Sequence, residues 1–535
     1  MHRLTHLAAS LGHLRAGRWE LAEAAARTPL LAAPDDVEAM LLLGLAITAG
    51  GEPERAAPVL ARAAELCPDQ RHPCLEVADM LEADDHPLRI RLIRAGRRLA
   101  PLDGRLRENV AEWLLDHDEP AEALAVLRDA PETPGALLLG GMALAEQGAF
   151  QDAGEQFHRL VTLVPDLAAG WSNLGMMLKV AGCFDEAVAA HDRAVALAPD
   201  VQRLRANRAV TLLQAGRWTE AWPDYESRLR RPDHRDLPLS TLLPNLDEID
   251  DLRGVTILAT HEEGFGDTLH FMRYLPLLAE RGARVVAWVP EPLTRVVGQL
   301  PGVIARPISG QPPAHDFHCP MFSLPRAFAS TPRTVPSAPY LTPYLTPDPA
   351  LVTAWAHRLP RHNFRIGIVW AGQARPWAPG FSALDRRRSA RLDDFAPLAC
   401  VPGVTLVNLQ AGAAAGGHPR LHDPMPQVRD FADTAAIIAN LDLVVSVDTS
   451  VVHLAGAMGK RVFMLDRVDN CWRWLHGRAD SPWYESLTIF RQEKPMDWSA
   501  PMERLTAAVA GLVAFNAPAD AAVRPSWRLA LANAA

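Results

Sequence analysis

Lysine is nearly missing from this sequence. It occurs only at Lys179, Lys460 and Lys494, although lysine and arginine together number 54. Cationic contacts to phosphate therefore fall mainly to arginine, whose planar fork suits them. A basic excess is missing too. The net charge is −9, which leaves no electrostatic footprint for nucleic acid or an anionic membrane. No apolar run approaches the roughly 20 residues of a membrane-spanning helix. The opening MHRLTHLAAS has no apolar stretch followed by a cleavage site, so a secretory signal is not expected. The cysteines at 67, 74, 183, 319, 400 and 471 form no CxxC pair, which argues against a zinc site or a disulfide framework. Free thiols in a reducing, cytoplasmic setting are the expectation.

What is present is the composition of a soluble globular protein, 49% hydrophobic and 22% charged. A chain of 535 residues is long enough for about three or four compact units. The first 230 residues repeat. Gly141, Gly148, Phe150, Ala153 and Pro165 recur as Gly175, Gly182, Phe184, Ala187 and Pro199, each 34 residues on. A further step gives Ala209, Gly216, Trp218 and Ala221, and Gly17 and Ala22 recur as Gly51 and Ala56. This is the period of tetratricopeptide repeats, antiparallel helix pairs stacked into a solenoid. About six repeats are expected over residues 1–230, with 70–135 degenerate and His191 standing where an aromatic is usual. The concave face of such a solenoid binds a peptide, a protein or a neighbouring domain; a spacer or dimerisation scaffold is the alternative.

Residues 231–253 are rich in Pro, Asp and Leu and read as a linker. The pattern then becomes α/β. Val255–Ala259 is a short apolar strand, Thr268–Arg281 an amphipathic helix, and Arg284–Val289 the next strand. That is a βαβ unit, the mark of a parallel sheet. The Pro- and Ser-rich segment 310–350 reads as a connection between lobes. A second α/β unit runs from the Arg365–Trp370 strand through Val404–Leu409 and the Asp433–Asn440 helix. It ends in LDLVVSVDTSVVHLAGAMGKRVFML: a buried strand, a polar turn, a short helix and another strand. The expected lobes are 254–345 and 350–515, with 516–535 a loosely packed tail.

Three clusters follow strand ends, where parallel α/β sheets bind ligands. In Gly264-Phe265-Gly266-Asp267 the glycines let a substrate approach the backbone. Asp267 is either a general base for an attacking hydroxyl or simply a helix N-cap. The missing third glycine (Leu269) weakens a dinucleotide-binding reading. The loop Asp385-Arg386-Arg387-Arg388-Ser389 either neutralises a diphosphate leaving group or is a solvated basic run. In Asp448-Thr449-Ser450, with His453 one turn on, the hydroxyls and first-turn N–H groups suit phosphate oxygens. Trp472, Trp474, Trp483 and Tyr484 either stack on a sugar or base, or pack the core.

Taken together, EEGFGDTLHFMRYLPLLAERGARV, RIGIVWAG, DRRRS, FADTAAIIANLDLVVSVDTSVVHLAGAMGK and WRWLHGRADSPWYESLTIFRQ resemble glycosyltransferase family 9, the heptosyltransferase-like enzymes. The match extends to AWPDYESRL at the repeat end and to family members fused to tetratricopeptide repeats. The resemblance implies a GT-B fold of two Rossmann-like lobes with the active site between them. It implies inverting transfer from a nucleotide-sugar donor to a protein or glycan acceptor, with no cofactor and no obligatory metal. By position, Asp267 matches the proposed base, and Asp448, Thr449 and His453 match the donor motif. The diphosphate contact falls within Arg386–Arg388, with Arg388 favoured, and Gln410 falls where the nucleotide is read. Glu263 departs from the glutamine usual in the fused subgroup, and the loop from Gln373 to Ala383 is less polar than usual. The rival expectation is a non-catalytic repeat scaffold carrying a degenerate transferase domain.

Overall fold

The computed structural model describes residues 2–68, 70–81, 85–99, 104–128, 131–230, 237–249, 251–337, 347–361, 363–373, 379–412 and 421–516. Residues 517–535 of the expected tail, and 374–378 of the less polar 373–383 loop, lie outside these. The chain divides into two compact units, Met1–Gln147 and Gly148–Ala535.

Among the described residues, fourteen helices run in chain order from His2–Arg15 to Trp218–Tyr225. At two per repeat this makes seven repeat units where the sequence suggests about six. The additional one comes from the degenerate stretch, where Pro73–Met80 and Pro120–Leu127 are only 8 residues long. Among the described residues, six of the repeats turn through a left-handed residue between their helices. Gly17, Gly51, Gly148, Gly182 and Gly216 supply it with φ between +66° and +91°. Asp118 takes the same conformation (φ +63°) in the degenerate repeat, and aspartate tolerates it better than most residues. Within the first unit two apolar clusters form the core, one around Leu42, Leu43 and Leu60, the other around Trp113, Leu114 and Ile93.

The second unit holds the last five repeat helices and two parallel sheets. Strands β1 (Thr256–Thr260), β2 (Arg284–Val289), β3 (Val303–Pro307) and β4 (Phe317–Pro320) pair in the order β3-β2-β1-β4. Strands β5 (Phe364–Val369), β6 (Val404–Asn408), β7 (Leu421–His422), β8 (Leu443–Val447), β9 (Val462–Asp466) and β10 (Leu487–Arg491) pair in the order β10-β9-β8-β5-β6-β7. Every pairing is parallel. The first sheet therefore reverses direction between β1 and β4, the second between β5 and β8. Crevices at such reversals, outside the carboxyl ends of the strands, are where open α/β sheets take ligands.

Several expectations are revised. The helix after β1 begins at Phe265 and is interrupted by a 3₁₀ turn, Met272–Tyr274, before resuming at Leu275–Glu280. Pro276 accounts for the break, since it lacks an N–H and its ring crowds the carbonyl four residues earlier. Segment 310–350 is not only a connection, because β4 lies within it and pairs with β1. Residues 237–252 do not behave as a linker. Leu243, Leu246 and Leu252 are buried, and Leu243 N–H donates to the His318 carbonyl at 2.8 Å.

The last repeats share one apolar core with both lobes, running from Val188 through Trp218 and Trp222 to Ile489. Trp218 stacks on Trp483 (centroids 5.2 Å apart) and meets Trp472 edge-on at 5.6 Å. The tryptophans of the WRW…SPWY segment are thus packing residues; Trp474 and Trp483 are fully buried. The repeat turns also touch lobe residues. A Cβ at Gly148 would lie 2.7 Å from Pro495, and one at Gly182 would lie 2.7 Å from His476. His191 fills the aromatic position in its own way, buried above Gly175 with Nε2 3.0 Å from the Thr211 hydroxyl.

Trp218→Ala should cost about 3–5 kcal/mol, as for large buried aromatics. Because the core is shared, residues 254–516 expressed without the preceding repeats should not unfold cooperatively in urea. An isolated 254–516 segment with the full-length unfolding midpoint would contradict this shared core.

Candidate active site

The glycine loop and the helix after β8 meet face to face. Helix Phe265–Phe271 packs against helix Ser450–Ala457, and a Cβ on Gly266 would stand 3.2 Å from Ser450 Cα and 3.1 Å from His453 Cδ2. A side chain here would crowd the facing helix, which glycine avoids. Gly264 precedes the helix, and its N–H donates to Asp267 Oδ2 at 2.8 Å. Asp267 therefore does act as a helix-start acceptor. Its other oxygen, Oδ1, is ion-paired with Arg473 Nη2 from the second lobe. Both side chains are largely buried, at 18% and 10% exposed. Burial raises the Asp267 carboxyl above the ordinary aspartate value, with Asp448 and Glu262 adding to the rise; Arg473 and the Gly264 N–H oppose it.

The loop itself is tied down from the repeat end. Arg228, in the AWPDYESRL segment, donates to Glu262 at 2.8 and 3.1 Å and to Ser323 Oγ at 2.7 Å. Glu263 beside it is exposed, in the left-handed region at φ +59°.

On the second lobe, Thr449 takes the N-cap position of the Ser450–Ala457 helix but makes no side-chain cap bond. Its hydroxyl lies 3.0 Å from Ser446 Oγ instead. Asp448 sits just before it, with Oδ1 3.9 Å from His453 Nε2. The His453 ring is 3% exposed. Its Nδ1 lies 3.2 Å from His270 Nδ1 and 3.0 Å from the Tyr484 hydroxyl, and the ring stacks on Trp474. Burial pushes its pKa down to about 3, so the ring is neutral. The geometry makes His453 part of the joint between the lobes, behind the surface a ligand would touch.

The arginine run is not a loop. It forms the last turn of helix Pro379–Arg388, where cations favour the helix dipole. Successive residues on a helix point about 100° apart, so the three side chains diverge. Arg388 Nη1 donates to the Asp448 carbonyl at 3.5 Å, and its Nη2 pairs with Asp385 at 2.6 Å. Arg387 holds Asp469 at 3.1 Å. Arg386 lines a separate cavity with Asp394, Met496, Trp498 and Met502, away from the Asp448 turn. Gln410 is also placed differently from its expected use. Its carboxamide oxygen accepts the N–H groups of Trp370 and Ala371 at 3.2 and 2.9 Å, bracing the end of β5.

Asp267, Gly264, Gly266, Asp448, Thr449, Ser450, His453 and Arg388 are thus gathered at the two sheet reversals, whereas Arg386 and the Gln410 carboxamide oxygen are directed elsewhere. Arg473 is the residue sequence reading missed. It lies within WRWLHGRADSPWYESL, where its aromatic neighbours drew attention and the arginine between two tryptophans did not.

Comparison with known proteins agrees with this architecture. Tetratricopeptide repeat sequences match residues 7–71, 111–168 and 173–234, and glycosyltransferase family 9 (heptosyltransferase) matches residues 429–499. Protein FlbA of Caulobacter vibrioides is 27% identical over 336 residues, 54% of this chain and 52% of that protein. The chain thus spans about half the length of this curated relative. Among solved structures, E. coli ADP-heptose lps heptosyltransferase II is similar at 13% identity and TM-score 0.35, covering 48% of this chain and 98% of that chain. YrrB, a TPR protein with an unusual peptide-binding site, is similar at 20% identity and TM-score 0.25, covering 34% and 95%. No helix among the described residues is long and apolar enough to cross a membrane. The chain joins tetratricopeptide repeats to an α/β region that matches glycosyltransferase family 9 over residues 429–499.

Proposed function

We propose that this protein is an inverting glycosyltransferase that moves a sugar from a nucleotide-sugar donor to a hydroxyl acceptor without a metal ion. The observation that carries the reading is the close approach of Gly266, the neighbour of Asp267, to Ser450, with Arg388 on the Asp448 carbonyl of the same turn. An ionised carboxylate has about four lone-pair sites. Asp267 uses one for Gly264 N–H and one for Arg473, leaving capacity to take the acceptor's proton. The acceptor oxygen then attacks the anomeric carbon from the side opposite the leaving diphosphate. Arg388 and the first-turn N–H groups of the Ser450–Ala457 helix stabilise the charge that develops on that diphosphate. In this role they replace a metal ion. Lobe closure around the donor excludes water and limits its hydrolysis. The repeats of the first unit recruit a protein or peptide acceptor along their concave face.

Asp267→Asn should lower turnover by about 10²- to 10⁴-fold while leaving nucleoside diphosphate binding, read by thermal shift, nearly intact. Retained turnover in that variant would refute the base assignment.

The pH profile gives a second test. The base works only when unprotonated, so activity falls as pH drops through the raised Asp267 pKa. Arg473 holds that pKa down, so Arg473→Gln should move the acidic limb of kcat/KM to higher pH. Arg473→Lys, which keeps the charge, should restore most of the shift. An acidic limb unmoved in Arg473→Gln would show that the pair does not tune the base.

A further inference from the structure

We propose that the repeats contribute a cation to the transferase's ligand edge: Lys179, Arg387 and Arg467 form a buried subsite for a phosphate group beside Asp448. The proposal rests on the nucleotide-sugar reading and adds to it a site built partly from outside the transferase domain.

Lys179 is one of three lysines in the chain and lies on repeat helix Ala168–Val180, yet it is only 6% exposed. Lysine is almost never buried this deeply unless paired. Among the described residues its ammonium has no hydrogen bond or ion pair. The groups whose charges reach it are Asp469, Arg467, Cys471 and Arg387. Asp469 is the acid at the centre, but it already serves two guanidinium groups. Arg387 Nε and Nη2 each lie 3.1 Å from its Oδ2, and Arg467 Nη1 lies 3.6 Å away. Arg467 is 7% exposed, and its Nη1 has no hydrogen-bond partner. Arg467 therefore brings a buried N–H with unfilled bonding capacity to this region, and the nearly buried Lys179 adds a second cation that feels the same Asp469.

The surrounding ion pairs do not absorb the surplus. Arg388 has Asp385 at 2.6 Å, and Arg491 has Asp466 at 2.9 Å. Even with Asp448 counted beside Asp469, three cations face two carboxylates. Burying an uncompensated charge is costly, and burial pushes the Lys179 pKa down to about 8, against the pull of Asp469. A phosphate would supply the missing negative charge and acceptor oxygens.

The location favours a ligand over a purely structural knot. Arg467 follows β9, Arg387 lies in the last turn of the helix after β5, and Asp448 follows β8, three adjacent strands of the second sheet. The cluster therefore lies at the carboxyl edge of that sheet, next to the reversal between β5 and β8. The phosphate comes either from the donor's diphosphate or from a phosphorylated acceptor, and the chemistry of capture is the same.

The test uses the full chain and Lys179→Met, which keeps the volume and removes the charge. Binding of inorganic pyrophosphate, inorganic phosphate and nucleoside diphosphates is measured by calorimetry near pH 7. The expected result is a roughly tenfold or greater rise in Kd, the size of one lost charged hydrogen bond. The melting temperature should stay equal or rise. Weakened pyrophosphate and nucleoside diphosphate binding identifies the donor as the source. Weakened inorganic phosphate binding alone identifies the acceptor. Isotope-labelled lysine adds a direct readout, because the chain gives only three side-chain signals. That of Lys179 should titrate at higher pH once pyrophosphate is bound, while those of Lys460 and Lys494 stay put. Unchanged affinities in Lys179→Met with an unmoved Lys179 titration overturn the proposal. If Arg388→Met abolishes nucleoside diphosphate binding in that case, the donor reading survives without it; a wild-type protein that binds none of the probes sinks both.

Discussion

The ion pair between Asp267 and Arg473 is the constraint around which the second unit is arranged. It places a carboxylate from the first lobe and a guanidinium from the second in a region largely shielded from water. Removing one partner of a buried pair costs about 3–5 kcal/mol, since the other is left uncompensated. The surroundings are built to keep the two together. Arg473 lies in a short 3₁₀ turn between Trp472 and Trp474, against the rings of Phe271, Phe322 and Trp472. Trp472 in turn packs on Trp218 and Trp222 of the last repeat. The Gln214 amide from the same repeat reaches Asn470 at 2.5 Å, and Asn470 holds the Leu475 carbonyl. A repeat helix thus fixes the turn that presents the arginine, and the arginine opposes the effect of burial on the carboxylate.

This changes how the repeats are understood. A solenoid attached through a flexible linker recruits a partner and otherwise leaves catalysis alone. Here the last repeats share one core with the two α/β lobes. Arg228 anchors the glycine loop through Glu262, and Trp222 donates to the Ser330 carbonyl of the first lobe at 3.0 Å. Displacement of these repeats, by a partner or by mutation, would be felt at Asp267 through well-packed side chains, because such cores shift discretely and do not yield gradually. Met1–Gln147 is a compact unit by itself.

Much of this was legible along the chain. The 34-residue period, the β-branched strands and the turn glycines act through neighbouring residues, so a linear reading finds them. The strand at Leu443–Val447 agrees with its expected bounds for that reason. The errors also have local causes. Asp385–Ser389 lacks an apolar period and so looks like a loop, yet Asp385 pairs with Arg388 one helical turn away. Residues 237–252 look like a linker because their leucines follow no period, but irregular chain can bury leucines as well as a helix can.

The sequence by itself determined the two kinds of architecture, the family resemblance and the segments that carry chemistry, because propensity, periodicity and capping are local properties. Only the tertiary structure decided which of those segments meet. Arg473 stands 206 residues from Asp267, the strand orders follow from chain crossovers, and only one of three adjacent arginines faces the Asp448 turn. Periodicity reports which side of an element is buried, but not what lies against that side. The identity of the opposing group, and hence the charge balance around Asp267 and Lys179, follows from closure of distant segments onto one core.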